Sequence, residues 1–162
     1  KIDYYELGNE WDLVPDFVLP EADAFRLQKE AWDGIKKGCP DAKVMPNGWT
    51  TDMTFDRPGM NRKGFQERYM TATKGFYDFH PVHTHGTFAR YVQSTERFLA
   101  QRRALGIDGV PWFSNETALT SVLGKENEAA ECVWQKMVYA QAHGSTDFIW
   151  YNLRDGLGAG RS

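Results

Sequence analysis

The chain opens with strand character over Lys1 to Gly8, and helical and extended patterns then alternate to its end. Pro20-Glu21-Ala22-Asp23 predicts a helix start: proline fits the first turn, acids complement the positive end of the helix, and Gly38 follows a lysine-rich last turn. Phe25, Ala31, Trp32 and Ile35 supply its apolar face, and Ala42 to Met45 reads as a short strand. Pro46 then leads into a long polar loop, 47 to about 62, holding Trp49, Asp52, Asp56 and Arg57. A second helix over about 63–74 turns Phe65, Tyr69 and Ala72 inward and passes through Gly75 into a strand, Phe76 to His80.

The third helix has the clearest period. Phe88, Tyr91, Val92, Thr95, Phe98, Leu99 and Leu105 share one face, Gln93, Glu96, Gln101 and Arg103 lie mostly on the other, and Gly106 ends it. Val110 to Ser114 is the next strand, a fourth helix spans about 125–143 with Ala129, Val133, Met137 and Ala140 on one side, and Thr146 to Asn152 is the last strand. With no repeat or low-complexity tract, the alternation predicts one α/β unit.

Two glutamates fall at strand ends: Glu10 after the first strand and Glu116 after Val110 to Asn115. Residues so distant in sequence meet only if the fold gathers strand ends on one face, as a parallel (β/α)₈ barrel does. A carboxyl pair there suits general acid/base work, glycoside hydrolysis above all.

Asn9-Glu10 at one strand end, Asp78-Phe79-His80 at another, Glu116 after an apolar strand and Trp150 within Phe148-Ile149-Trp150-Tyr151-Asn152 together resemble clan A glycoside hydrolases. The resemblance implies a (β/α)₈ TIM barrel of which this chain, residues 1–162, carries only strands four to eight: a partial catalytic domain, cut at both termini. Against the roughly 250 residues of a full barrel, the 162 present fall short. It implies Glu10 as acid/base and Glu116 as nucleophile of a retaining hydrolase, Asn9 as a donor to the sugar 2-hydroxyl, and Trp150 as an aromatic floor beneath the sugar. It puts His80 at the strand end that binds sugar or orients the nucleophile, with Val82 where a Tyr often follows. His83 is then the best replacement by position, while His85 reads equally well as a structural loop histidine. Trp11 and Trp49, both following strands, are expected at the mouth of the cleft and Trp32 and Trp134 in packing. Trp150 has a buried barrel position as its alternative.

The remaining composition narrows the field. A net charge of −3 with no polybasic run argues against a nucleic-acid surface, and charged residues interrupt every apolar run before the length of a membrane span. Most of the six Trp, seven Tyr and ten Phe belong in a core, but aromatic faces also stack on sugars, and the expected partner is a carbohydrate substrate. Cys39 and Cys132 read as free thiols rather than a disulfide. The hydrolysis needs no cofactor and no metal; His80, His83 and His85 sharing zinc is the weaker reading. Arg154 and Asp155 either line the cleft or pair in solvent, and the glycine-rich 156–160, with no helix after it, is not a phosphate loop. The competing class is a non-catalytic half-barrel, carbohydrate-binding or structural. Either way an open edge at Lys1 to Leu7 calls for the missing N-terminal half or for self-association.

Overall fold

The computed structural model describes residues 2–13, 19–50, 63–119 and 124–151. Five strands, β1 (Tyr4–Asn9), β2 (Lys43–Thr50), β3 (His80–His83), β4 (Trp112–Thr117) and β5 (Ser145–Trp150), alternate with four helices, α1 (Glu21–Gly38), α2 (Phe65–Ala72), α3 (Phe88–Ala104) and α4 (Glu126–Ala142). The sheet order is β1-β2-β3-β4-β5 and every pairing is parallel. Each strand therefore returns through a helix and delivers its C-terminal end to the same side, as in part of a (β/α)₈ barrel. β1 and β5 form the two edges. Among the described residues no helix is long and apolar enough to cross a membrane.

The helices cover one face of the sheet through two cores. Trp49, Phe65, Tyr69, Met70, Tyr77 and Ile107 join Trp11 and Ala24 in the first, with Trp49 edge-on to Tyr69 at 5.1 Å between ring centres. Val82, Tyr91, Phe98, Trp112 and Ala140 form the second under α3 and α4. Buried polar groups are paired across elements: Gln28 of α1 donates to the Phe76 carbonyl at 2.6 Å and accepts from the Tyr69 hydroxyl at 2.8 Å. Cys39 and Cys132 are free.

Several boundaries differ from the sequence reading, each for a local reason. β2 continues past Pro46 to Thr50, so Trp49 is a fully buried strand residue rather than part of a loop. Asp52, Asp56 and Arg57 of that expected loop lie outside the described residues, as do Arg154, Asp155 and the glycine-rich 156–160. The third strand begins at His80 instead of ending there. Asp78 is drawn to the β2 side, where its carboxylate accepts from Lys36 Nζ at 2.9 Å and from the Val44 N–H at 2.8 Å, which leaves 76–79 as a connection. β4 extends to Thr117, so Glu116 lies within the strand's last turn of pleat rather than after it. On α4 the buried stripe is Cys132, Lys136 and Ala140, a spacing of four that the aliphatic reading passed over.

Candidate active site

The candidate site lies at the C-terminal ends of β1, β3 and β4. Glu10 directly follows β1 with φ +51, a left-handed conformation rare outside glycine and often met at functional sites. The following turn is tied to β2 at several points. The Glu10 N–H donates to the Gly48 carbonyl at 2.9 Å and the Trp11 N–H to Asn47 Oδ1 at 2.9 Å. Asp12 Oδ2 accepts from the Thr50 hydroxyl at 2.6 Å and from the Thr50 N–H at 3.2 Å. Burial raises the Asp12 carboxyl above its ordinary range, against the lowering effect of these Thr50 donors. Asn47, Asp12 and Thr50 thus fix the backbone that aims Glu10, and no sequence motif announced them.

Glu116 comes from β4, paired across the ladder with His83 of β3. His83 Nδ1 lies 2.9 Å from Glu10 Oε1 and 3.7 Å from Glu116 Oε2, while His85 Nε2 lies 3.4 Å from Glu116 Oε1. Donor atoms of Glu10, His85 and Glu116 all fall within 4.8 Å of one another, compact enough to close on a cation or on the reacting carbon of a sugar. Both carboxylates are accessible, each side chain 24% exposed, whereas the His83 side chain is 2% exposed. Burial lowers the His85 imidazole below its ordinary value, partly opposed by Glu116 and Glu10.

Glycine at position 48 makes this convergence possible. A Cβ there would sit 2.2 Å from His83 Nε2 and 2.5 Å from Glu6 Oε1, so only a bare backbone admits both groups. Glu6, one of the residues sequence reasoning missed, accepts from Asn115 Nδ2 at 3.0 Å. Partial burial of its carboxyl, with Glu116 adding to the effect, raises it above the usual range, with His83 and Asn115 opposing.

Of the residues expected to bind substrate, three stand at this end. His83 is in the cluster, exposed Asn9 immediately precedes Glu10, and half-buried Trp150 ends β5 opposite Thr117. Three others are buried. Trp49 and Trp11 are core residues, Trp11 lying over Gly8 and beside Tyr69 at 6.2 Å between ring centres, so neither forms the mouth of the cleft. His80 is fully buried at the start of β3, 3.0 Å from Gln66 Nε2 and against the Phe98 ring. Burial there, reinforced by the Arg102 charge, holds its imidazole well below the ordinary value. The strand-end histidine is accordingly His83, three residues later, and His85 stands two beyond it beside Glu116. The three histidines do not converge on one point.

Lys136 of α4 was also missed. Fully buried, it donates from Nζ to the Thr117 hydroxyl at 3.1 Å and the Ala118 carbonyl at 2.9 Å, and lies 5.4 Å from the ring centres of both Tyr91 and Trp150. Burial brings its amine down to about 8.

The sequence matches no family model and no curated protein. Solved structures do match. A GH128 endo-β-1,3-glucanase from Amycolatopsis mediterranei superposes with a TM-score of 0.63 at 18% identity, over 90% of this chain and 60% of that one. This chain shares the fold of part of that enzyme. A curdlan-specific exo-β-1,3-glucanase from Blastomyces gilchristii gives a TM-score of 0.65 at 17% identity, over 91% of this chain and 62% of that chain. A glucosidase from Croceicoccus marinus gives 0.69 at 17% identity, over 91% of this chain and 32% of that one. The chain thus spans less than two thirds of these enzymes, consistent with half a barrel.

Proposed function

We propose that this chain carries the catalytic pair of a retaining glycoside hydrolase acting on a β-linked glucan or related oligosaccharide. The observation that carries the reading is the approach of Glu10 and Glu116 from the C-terminal ends of two parallel strands, donor oxygens within 4.8 Å. Retention needs carboxyls about 5–5.5 Å apart, whereas inversion leaves room for water at about 6.5–9.5 Å. Glu116 attacks the anomeric carbon and forms a glycosyl ester as Glu10 protonates the departing oxygen. Glu10 then deprotonates the water that hydrolyses the ester. His83 bridges the pair, Asn9 is positioned to meet a sugar hydroxyl, and Trp150 offers a ring to the sugar face. The likeness to two β-1,3-glucanases and a glucosidase supports a β-glucosidic substrate.

The test divides the two glutamates in the intact protein. Glu116→Ala should abolish turnover of every substrate, with azide restoring it by supplying a nucleophile. Glu10→Ala should spare activated aryl glycosides, whose leaving groups need no proton, while losing natural glucans. Equal loss on both substrate types in Glu10→Ala would overturn the assignment.

A second reading is favoured by the open concave face. Tyr4, Glu6, Met45, Phe113, Asn115 and Ile149 border a cavity of about 460 Å³, and Tyr4 and Ile149 are exposed. Inside a closed barrel such positions are covered. We therefore propose that activity requires further barrel strands, and that these residues alone self-associate through β1 or β5. A cooperative monomer in sedimentation of this chain alone would count against it.

A further inference from the structure

Three side chains at the strand ends make a donor set for a metal ion. Glu10 follows β1, Glu116 lies in β4 and His85 stands two residues past β3, so three separate segments present them to one point. His85 Nε2 lies 3.4 Å from Glu116 Oε1. Zinc takes imidazole nitrogen and carboxylate oxygen at about 2.0–2.1 Å, and tetrahedral geometry then sets neighbouring donors about 3.3 Å apart. This pair already has the spacing of two ligands. The whole set lies within 4.8 Å, so Glu10 needs to close by at most about 1.5 Å, which rotation of its side-chain bonds supplies.

Charge and access fit the same ligand. Two carboxylates neutralise a dication, and among the described residues no lysine or arginine forms an ion pair with either of them. The two carboxylate side chains are each 24% exposed and that of His85 44%, so a solvated ion reaches all three. His83 Nδ1, 2.9 Å from Glu10 Oε1, supplies the outer contact that orients a ligating carboxylate. A set of two carboxylates and an imidazole favours a first-row divalent ion such as zinc over calcium or magnesium, which take all-oxygen sets. We propose that Glu10, His85 and Glu116 form a binding site for one zinc ion, with solvent in the fourth position. Such an ion engages both carboxylates at once, so ion and sugar exclude one another; that exclusion, unlike the binding, rests on the hydrolase reading.

Calorimetric titration of the intact protein with zinc chloride tests the site, with calcium chloride as the comparison ion. Zinc should bind in preference to calcium, and His85→Ala and Glu116→Gln should each weaken it by about tenfold or more. Cys39→Ser and Cys132→Ser should leave it unchanged. Cobalt(II) added to the native protein gives a readout that needs no variant: its visible spectrum should show oxygen and nitrogen ligation without a thiolate band. Absence of zinc binding by the native protein overturns the proposal, and so does a thiolate band or an affinity unchanged in both His85→Ala and Glu116→Gln. Activity plays no part in these measurements, so the metal site and the hydrolase reading fail separately.

Discussion

His83 and Glu10, from the third and first strands, meet at 2.9 Å between Nδ1 and Oε1. The contact depends on the strand between them, because β2 presents Gly48 where any side chain would push the imidazole away. The end of the sheet where Glu10 and Glu116 meet is therefore sensitive to a position that bears no functional group.

Gly48→Ala should dislodge the imidazole and Glu6 together, since the added carbon falls 2.2 Å from Nε2 and 2.5 Å from Oε1. Overpacking of this kind costs about 1–3 kcal/mol of stability. Turnover should fall by at least about tenfold while the fold persists, because a small misplacement of catalytic groups is enough. Thermal melts and steady-state rates on the intact protein check both halves; a variant with native activity contradicts the geometry described for His83.

Trp49 and Trp150 should separate cleanly. Trp49 is fully buried against Phe65 and Tyr69, so Trp49→Ala should cost about 3–5 kcal/mol in denaturant unfolding. Trp150 is half-buried at a strand end, so Trp150→Ala should leave most of the stability and weaken substrate binding by about tenfold or more, about 1.4 kcal/mol. Comparable stability losses in the two variants would make Trp150 a core residue.

Much of the fold was legible because strand and helix periods differ, and the two glutamates stood out as acids at the ends of apolar runs. The errors trace to particular residues. Phe76 to Phe79 reads as a strand, yet the Asp78 carboxylate is committed to Lys36 and Val44, and the strand starts only at His80. That shift of three exchanged a core histidine for the one that meets Glu10. Trp49 was misplaced because Pro46 suggested an end that β2 does not observe. Lys136 was invisible because a lysine reads as solvated, while here Thr117 and Ala118 satisfy it inside. Glu6, Asn47 and Asp12 act through contacts from other strands, which one-dimensional spacing does not encode.

Lys136 gives the fold a pH signature. Its amine sits at about 8 when folded against 10.5 ordinarily, so between those values the unfolded chain binds more protons. Stability should therefore rise with pH across this window, by about 1.5 kcal/mol from about pH 8 to 9.5. Tyr77 and Tyr91, pushed up to about 12, act in the opposite sense as the unfolded tyrosines ionise near 10. Comparing the native protein with Lys136→Met isolates the lysine: denaturant unfolding should show the native protein gaining stability relative to the variant as pH rises, and a constant difference would contradict the buried amine.

The central claim, that Glu10 and Glu116 work at retaining distance, is tested most directly by the stereochemistry of the product. Proton NMR of early hydrolysis of a β-glucan by the intact protein reads the anomer first released, before mutarotation. Two carboxyls this close leave no room for a water between nucleophile and sugar, so the first product should be the β-anomer. Release of the α-anomer would mean inversion and would contradict the assigned pair.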